Sequence, residues 1–229
     1  MLVTGSSRGI GRALVEHYVD RGHSVFGLSR SESDFVHRQY HHLIADVADE
    51  SAVRRAFSQI AKDSGRLDVL INNAGLKIGS YALLTTGKQA ESMLRTNLLG
   101  AFWVTRDAVK LMKRNRFGRV VSLSSVAVPL GSEGSAIYGA GKAGLEQLSH
   151  TLARELAADD ITFNTIGISV YENSGMVAGL KEDVLREARR SLIKPAPLSI
   201  EEIAHATDFF VSDMARNITN QVVYFGGVR

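Results

Sequence analysis

The chain has 229 residues, of which 45% are hydrophobic and 22% charged, and it contains no cysteine. These values suit one domain with a single core and exclude disulfides, thiol catalysis and thiolate metal sites. The formal charge of +3, from 27 basic and 24 acidic residues, requires no nucleic-acid partner. Without a membrane-length apolar run or a charged and apolar leader, we expect a cytoplasmic protein with no membrane partner.

Short apolar runs alternate along the chain with longer segments of helical spacing. We predict strands at 2–3, 24–29, 42–45, 69–71, 119–123, 161–166 and 221–225. We predict helices at 10–21, 50–64, 88–114, 136–158 and 200–212. This alternation predicts a single α/β domain over 1–229, a Rossmann-like doubly wound parallel sheet of about seven strands with helices on both faces.

A glycine-rich turn follows the first predicted strand and opens the first helix. Gly5, Gly9 and Gly11 let a pyrophosphate approach the backbone and the helix N-terminus. The same turn contains Ser7, Arg8 and Ile10, which we also assign to cofactor binding. Because the spacing is G-x-x-x-G-x-G, and not the G-x-G-x-x-G of many dinucleotide sites, the glycines alone fit an ordinary strand-to-helix turn equally well.

The end of the second predicted strand indicates the cofactor type. An acid at this place binds the ribose hydroxyls of NAD and repels the extra phosphate of NADP. Here Ser29 occupies that place and Arg30 follows it, while Arg8 can reach the same phosphate from the glycine turn. Single surface arginines are common, but the combination predicts NADP(H).

Four polar residues carry the predicted chemistry. Tyr138 and Lys142 lie four positions apart on a predicted helix and project from one face, so the ammonium is expected to lower the phenol pKa. Tyr138 then acts as general acid in reduction or base in oxidation. Ser125 precedes Tyr138 by 13 residues and Asn97 precedes Ser125 by 28. Each alone has an ordinary structural interpretation; as a set they favour catalysis.

The glycine turn, the spacing of these four residues and three further motifs resemble the short-chain dehydrogenase/reductase family over nearly the whole chain. The motifs are Asp46-Val47, Asn72-Asn73-Ala74-Gly75 and Gly226-Gly227. The resemblance implies that Asp46 binds the adenine amino group and that Val47, Asn73, Ala74 and Gly75 join the cofactor site.

The resemblance also implies roles for the catalytic residues. Ser125 would orient the substrate carbonyl, Lys142 would also hold the nicotinamide ribose, and Asn97 would hold a water that links Lys142 to solvent. We expect the neighbouring Ser122 and Ser124 to be structural.

Within the family the chain is most similar to the 3-oxoacyl-[acyl-carrier-protein] reductase type. Four segments carry that similarity: 97–100, 118–121, 138–145 and 152–156. It implies NADPH-dependent reduction of a ketone, such as a carrier-bound 3-oxoacyl thioester, in a homotetramer. Because these motifs are widely shared, a small alcohol, a sugar or a polyketide-type substrate stays open. A non-catalytic nucleotide-binding regulator of the same fold stays open as well.

The loop after the sixth predicted strand departs from the family pattern. Ile168 to Ser174 lacks the usual Pro-Gly, and Asn173 stands where a carboxamide-binding Thr is expected. We assign Asn173 and the backbone of Tyr171 to the nicotinamide. A substrate lid is predicted over 170–197, although its apolar spacing fits simple helix packing equally well.

Three surface features have competing interpretations. His37, His41 and His42 lack an acidic ligand pattern, so we expect no metal. The basic run from Arg106 to Arg119 fits a solvated face, or a carrier-docking face unless Asp159-Asp160 adjoins it. We propose as subunit-interface residues Met93, Phe102, Met112, Leu145 and Leu148.

Overall fold

A computed structural model describes residues 1–171, 186 and 189–228. Within them, seven strands form a single sheet, namely β1 (Leu2–Thr4), β2 (Val25–Ser29), β3 (Tyr40–Ile44), β4 (Val69–Asn72), β5 (Phe117–Ser125), β6 (Asp160–Ile168) and β7 (Val222–Tyr224). The order is β3-β2-β1-β4-β5-β6-β7, and every pairing is parallel. The predicted doubly wound parallel sheet is confirmed.

The described helices connect these strands. They are α1 (Gly9–Asp20), α2 (Glu50–Ser64), α3 (Gly87–Leu94), α4 (Ala101–Asn115), α5 (Ala127–Leu130), α6 (Ala136–Glu155) and α7 (Ile200–Val211). Short 3₁₀ turns occur at Ala82–Leu84 and Asp213–Ala215. No helix among the described residues is long and apolar enough to cross a membrane.

Two hydrophobic clusters place the helices on opposite faces of the sheet. One cluster joins the sheet to α2 and α4, with Phe57, Ile60 and Leu111 among its buried side chains. The other joins the sheet to α1 and α7 through residues such as Leu14 and Phe210. Because helices cover both faces of the sheet, the inner strands β1, β2, β4, β5 and β6 are almost fully buried, as is typical of parallel sheets. The edge strands β3 and β7 are partly exposed.

The predicted helix over 88–114 is interrupted. Between α3 and α4 the chain forms a π-helical segment, Arg95–Gly100, which contains Asn97. A π turn adds one residue to the helical repeat and changes which side chains face inward, and such turns recur at functional sites. The helix spacing continues through the segment, which explains why the sequence pattern did not reveal it.

Parallel strands bring all their carboxyl ends to one edge of the sheet. The strand order reverses between β1 and β4, because the chain runs outward through β2 and β3 and then returns to β4. In open α/β sheets, ligands bind at the carboxyl edge beside this point of reversal. The glycine turn follows β1 there, and Asn73 follows β4.

Candidate active site

The turn between β1 and α1 is shaped by its glycines. Gly5 and Gly9 adopt left-handed backbone conformations, with φ of 68° and 58°. Gly11 has no space for a side chain, because a Cβ there would overlap the Gly5 carbonyl oxygen and the Asn73 amide. The absence of a side chain at Gly11 therefore lets the first turn of α1 lie against the backbone of Gly5, directly after β1.

The N-terminus of α1 suits an anionic ligand. Its cap residue, Arg8, is extended (φ −160°, ψ 169°), and no side chain of the described residues caps the helix there. A Cβ built on Gly9 would meet no atom within 4 Å, so the turn has open space in front of it. Free helix N–H groups and the helix dipole favour a pyrophosphate at such a place, so these residues fit the cofactor.

The segment after β4 is tied to the end of β1. The backbone N–H groups of Asn73 and Ala74 both donate to the Thr4 hydroxyl at 3.0 Å. The Asn73 side-chain amide donates to the carbonyls of Thr4 at 2.7 Å and Gly5 at 3.2 Å. These bonds hold the two halves of the carboxyl edge together, with Gly75 next in the chain.

We expect Gly11→Ala to lower the free energy of unfolding by about 1–3 kcal/mol, because the added methyl group must displace backbone atoms. Gly87→Ala is the matched control: Gly87 begins α3 and has open space around it, so alanine there is expected to be neutral or slightly stabilising. Urea unfolding measures both. Equal stability of the two variants would show that Gly11 is not constrained.

The end of β2 carries a polar network at the predicted ribose site. The Ser29 hydroxyl donates to the Ser31 carbonyl at 2.7 Å and lies 3.3 Å from His42 Nε2. The Ser31 hydroxyl donates to Ser7 at 3.3 Å, which links β2 to the glycine turn. His42 also contacts the Tyr40 hydroxyl through Nδ1 at 2.7 Å. These contacts hold the His42 ring beside Ser29.

Two cations flank this network. Arg8 and Arg30 are exposed, and neither has a hydrogen bond or an ion pair with a described residue. Arg12, by contrast, is paired with Glu16 and Asp34, both at 2.6 Å. Both guanidinium groups are thus unpaired as far as the described part of the chain shows, which is compatible with the predicted phosphate contact.

Asp46 and Val47 lie just beyond β3. One Asp46 carboxylate oxygen accepts from the Ala48 N–H at 2.9 Å, which leaves the other oxygen for a ligand. Val47 is buried, and a Cβ on Gly100 would lie 2.8 Å from its carbonyl oxygen. Close packing of the π segment thus fixes the backbone at Val47.

Three of the four predicted catalytic residues meet at the carboxyl end of β5. Ser125 is the last residue of that strand, and its hydroxyl accepts from the Ala127 N–H at 3.1 Å. Tyr138 and Lys142 are both buried on α6. The Lys142 ammonium donates to the Leu123 carbonyl at 2.6 Å and lies 6.0 Å from the Tyr138 ring centroid.

Asn97 completes the predicted set from the π segment. Its amide donates to the Leu76 carbonyl at 2.7 Å and its carbonyl accepts from the Leu76 N–H at 2.8 Å. A Cβ on Gly141 would lie 3.3 Å from the Asn97 Cβ, so α6 packs directly on this residue. Asn97 thus fixes the segment after β4 against α6; its water-holding role stays a prediction.

The expected lowering of the Tyr138 pKa is wrong for this structure. Burial raises the pKa of Tyr138, and the Ser125 side chain opposes that rise. Burial also lowers the pKa of Lys142 to about 8, although the negative charge of Glu146 raises it in part. The lysine therefore loses its proton at lower pH than the phenol, so its charge is not present when the phenol would ionise.

The loop after β6 is described only as far as Tyr171. Tyr171 is buried in a cluster with Leu198 and Ile203, and Ile10 of the glycine turn packs against that cluster. The predicted nicotinamide ligand Asn173 lies outside the described residues, as does most of the predicted lid between 172 and 188. The Leu198 N–H donates to the Val170 carbonyl at 3.1 Å, which joins the two ends of this segment.

Two charged residues at the site were missed by sequence reasoning. Lys77 places its ammonium 5.4 Å from the Tyr138 ring centroid, and no motif signalled it. Glu146 follows Lys142 by four residues on α6 and binds Ser124. A residue of opposite charge four positions after Lys142 on a predicted helix was the sequence feature that could have identified Glu146. Ser124 is buried.

The basic run on α4 is largely neutralised by acids. Arg106 pairs with Glu50 at 2.9 Å and with Asp107 at 3.3 Å. Lys110 also pairs with Asp107, at 2.6 Å, and Lys113 pairs with Asp159 at 3.1 Å. The acidic patch thus adjoins the run, which weighs against a carrier-docking face there.

Three of the proposed interface residues are core residues instead. Met93, Met112 and Leu145 are at most 2% exposed. Leu148 is half-buried, and Phe102 is 36% exposed. Apolar helical spacing is the same for a core stripe and an interface stripe, which explains the error.

A glycine turn at a point of strand reversal and a buried Tyr–Lys pair beside a strand-end serine define a nucleotide-binding α/β oxidoreductase site. The family model for short chain dehydrogenase matches residues 1–185, and the chain belongs to that family. It is a short-chain oxidoreductase, so the alternative of a non-catalytic regulator is set aside.

Several curated proteins are similar over almost the full chain. The 3-oxoacyl-[acyl-carrier-protein] reductase FabG of Escherichia coli strain K12 is 32% identical over 236 residues, covering 99% of this chain and 95% of its own. The 3-oxoacyl-[acyl-carrier-protein] reductase MabA of Mycobacterium tuberculosis strain H37Rv is 31% identical over 227 residues, covering 99% and 91%. The predicted resemblance to this reductase type is confirmed.

Proposed function

We propose that the protein is an NADPH-dependent ketone reductase whose substrate is a 3-oxoacyl thioester presented by an acyl carrier protein. The observation that carries the proposal is the meeting of Ser125, Tyr138 and Lys142 at the end of β5, on the same sheet edge as the glycine turn. Two relatives named as 3-oxoacyl-[acyl-carrier-protein] reductases support this substrate class.

The residues proposed to hold the cofactor lie along the carboxyl edge. The α1 N-terminus would hold the pyrophosphate, and Asp46, Asn73 and Ala74 would border the adenosine and the adjoining ribose. Lys142 would hold the nicotinamide ribose, with Tyr171 beside the ring. When bound, NADPH would supply the hydride.

The protein side chains would control the proton. The Ser125 hydroxyl would bind and orient the substrate carbonyl, and the Tyr138 hydroxyl would donate its proton to the carbonyl oxygen. The charged Lys142 would stabilise the phenolate that this donation leaves. Asn97 would keep the segment after β4 in place against α6, so that the site stays closed on that side.

The raised pKa of Tyr138 suits reduction. Burial keeps the phenol protonated at neutral pH, and a protonated phenol is the form that donates to a carbonyl. An oxidation would need the phenolate, which burial disfavours. We propose carbonyl reduction as the physiological direction, as in the relatives named reductases. We also propose that the protein is a homotetramer in the cytoplasm.

The test is NADPH oxidation with a matched set of substrates. We expect turnover with acetoacetyl thioesters of coenzyme A and of acyl carrier protein, and a higher kcat/KM for the carrier-bound form. Equal kcat/KM for the two thioesters would contradict recognition of the acyl carrier protein. No oxidation with either thioester or with a panel of simple ketones would contradict the proposed function itself.

We expect Arg30→Ala to weaken NADPH binding by about tenfold or more and to leave NADH binding nearly unchanged, because only NADPH has the 2′-phosphate. Arg8→Ala is expected to act in the same direction. Arg114→Ala, which removes an exposed arginine at the end of α4, is the control. Fluorescence titration measures both cofactors, and equal affinity of the unchanged protein for NADPH and NADH would contradict the assignment.

A further inference from the structure

The Lys142 ammonium lies in a place that disfavours its charge. The residue is 3% exposed, and the Leu123 carbonyl, at 2.6 Å, is its one described hydrogen-bond acceptor. Burial lowers its pKa to about 8. Its proposed role in stabilising the Tyr138 phenolate nevertheless requires the charged form, so the site needs a group that favours the ammonium.

Glu146 lies one helical turn after Lys142 on α6. The Ser124 hydroxyl donates to one of its carboxylate oxygens at 2.5 Å, and the Tyr224 hydroxyl donates to the other at 2.7 Å. Ser124 directly follows Leu123 in β5. The ammonium and the carboxylate therefore bind successive residues of one strand, and this fixes their separation.

The second anchor of Glu146 comes from β7. The Tyr224 ring packs directly on Gly167 of β6, where any side chain would overlap it. This close approach aims the Tyr224 hydroxyl at α6. Glu146 on α6 is thus held in a single orientation by β5 and β7. An exposed surface glutamate would have no such anchors.

We propose that Glu146 is a positioning residue that keeps Lys142 charged and in place at the end of β5 during reduction. The inference rests on the proposed function, since it assigns the carboxylate a part in that same proton transfer. Attraction to the carboxylate raises the pKa of Lys142 and offsets part of the effect of burial.

The other titratable groups around Lys142 do not supply a negative charge that would stabilise its ammonium. Tyr138 is neutral over the working range because burial raises its pKa. Tyr224 is neutral as well, because burial and the Glu146 carboxylate raise its pKa. Lys77, over the Tyr138 ring, is basic and supplies no negative charge. Glu146 is the one acid among the described residues whose negative charge raises the pKa of Lys142 and so favours the ammonium.

The first experiment is the pH dependence of kcat/KM for Glu146→Gln, which keeps the side-chain shape and removes the charge. The decline of reduction at high pH should report Lys142 losing its proton. We expect this decline to move to lower pH by about one unit in the variant. The rate near pH 6 should be retained, and the rate near pH 8.5 should fall by roughly eightfold. A rate lowered by one constant factor at every pH would overturn the proposal.

Matched variants separate charge from structure. Glu155→Gln removes an exposed carboxylate from the same helix and should leave the profile unmoved. Glu146→Asp, which keeps the charge, should restore most of the profile. Should Glu146→Gln fail to fold, the Ser124→Ala and Tyr224→Phe variants remove one anchor each and should move the decline part of the way. An unmoved decline in both would overturn the proposal.

A second readout does not depend on turnover. The Lys142 Nζ resonance, followed by ¹⁵N NMR through a pH titration, should give a lower midpoint in Glu146→Gln than in the unchanged protein. Identical midpoints would overturn the proposal. If no carbonyl substrate is reduced, the proposed function fails, while this titration still decides whether Glu146 holds the charge on Lys142.

Discussion

Tyr138→Phe is expected to lower kcat for carbonyl reduction by about a hundredfold or more, because it removes the proton donor. Cofactor affinity should change little, since the ring and its packing with Met93 and Ala127 are retained. Stopped-flow or steady-state NADPH oxidation measures the first effect, and fluorescence titration measures the second.

Tyr81→Phe is the control for that variant. Tyr81 is 61% exposed, and its hydroxyl donates to Glu133 at 3.4 Å, its one hydrogen bond to a described residue. It should keep near-normal turnover. Should Tyr138→Phe lose cofactor binding together with turnover, the ring would have a structural role and the proton-donor assignment would lack support.

Lys142→Met is expected to lower both cofactor affinity and kcat, the latter by about a hundredfold or more, because one ammonium is assigned to both ribose binding and phenolate stabilisation. The same change should not destabilise the fold at neutral pH. A methionine fills the space without burying a charge, and replacing buried charges by apolar groups is often neutral or stabilising.

The sign of the stability effect depends on pH. The pKa of Lys142 is about 8 in the folded chain, below its usual 10.5, so protonation favours the unfolded state. The penalty is complete below about pH 8 and disappears as pH rises toward 10.5. It amounts to roughly 2–4 kcal/mol. Lys142→Met should therefore gain stability at pH 7 and gain little at pH 10.5. Urea unfolding at both values is the check, and a loss of stability at pH 7 would contradict it.

The sequence was sufficient to predict the sheet, and the structure brings three of the four candidate catalytic residues together at the end of β5. Strand and helix periods differ, and the glycine turn and Tyr138-x-x-x-Lys142 are local patterns with fixed geometry. In a parallel sheet, residues at the end of a strand or directly after it lie at the carboxyl edge of the sheet, and the glycine turn and Ser125 both occupy such positions in the chain. The roles of individual side chains toward substrate and cofactor stay predictions.

The features that sequence reasoning missed depend on contacts between distant elements. The pKa of Tyr138 follows from burial beneath neighbouring segments, which helical spacing does not measure. Glu146 gains its role from Ser124 and Tyr224, which lie 22 and 78 residues away in the chain. The ion pairs of α4 with Glu50 and Asp159 likewise form only when α2 and the turn after α6 pack beside it.

Tyr138 is proposed to supply the proton in carbonyl reduction. Single-turnover hydride transfer by Tyr138→Phe, with cofactor and substrate saturating and chemistry limiting, tests this role most directly. We predict a rate constant at least about a hundredfold below that of the unchanged protein, with Tyr81→Phe at the normal rate. Hydride transfer by Tyr138→Phe at the unchanged rate would contradict the mechanism.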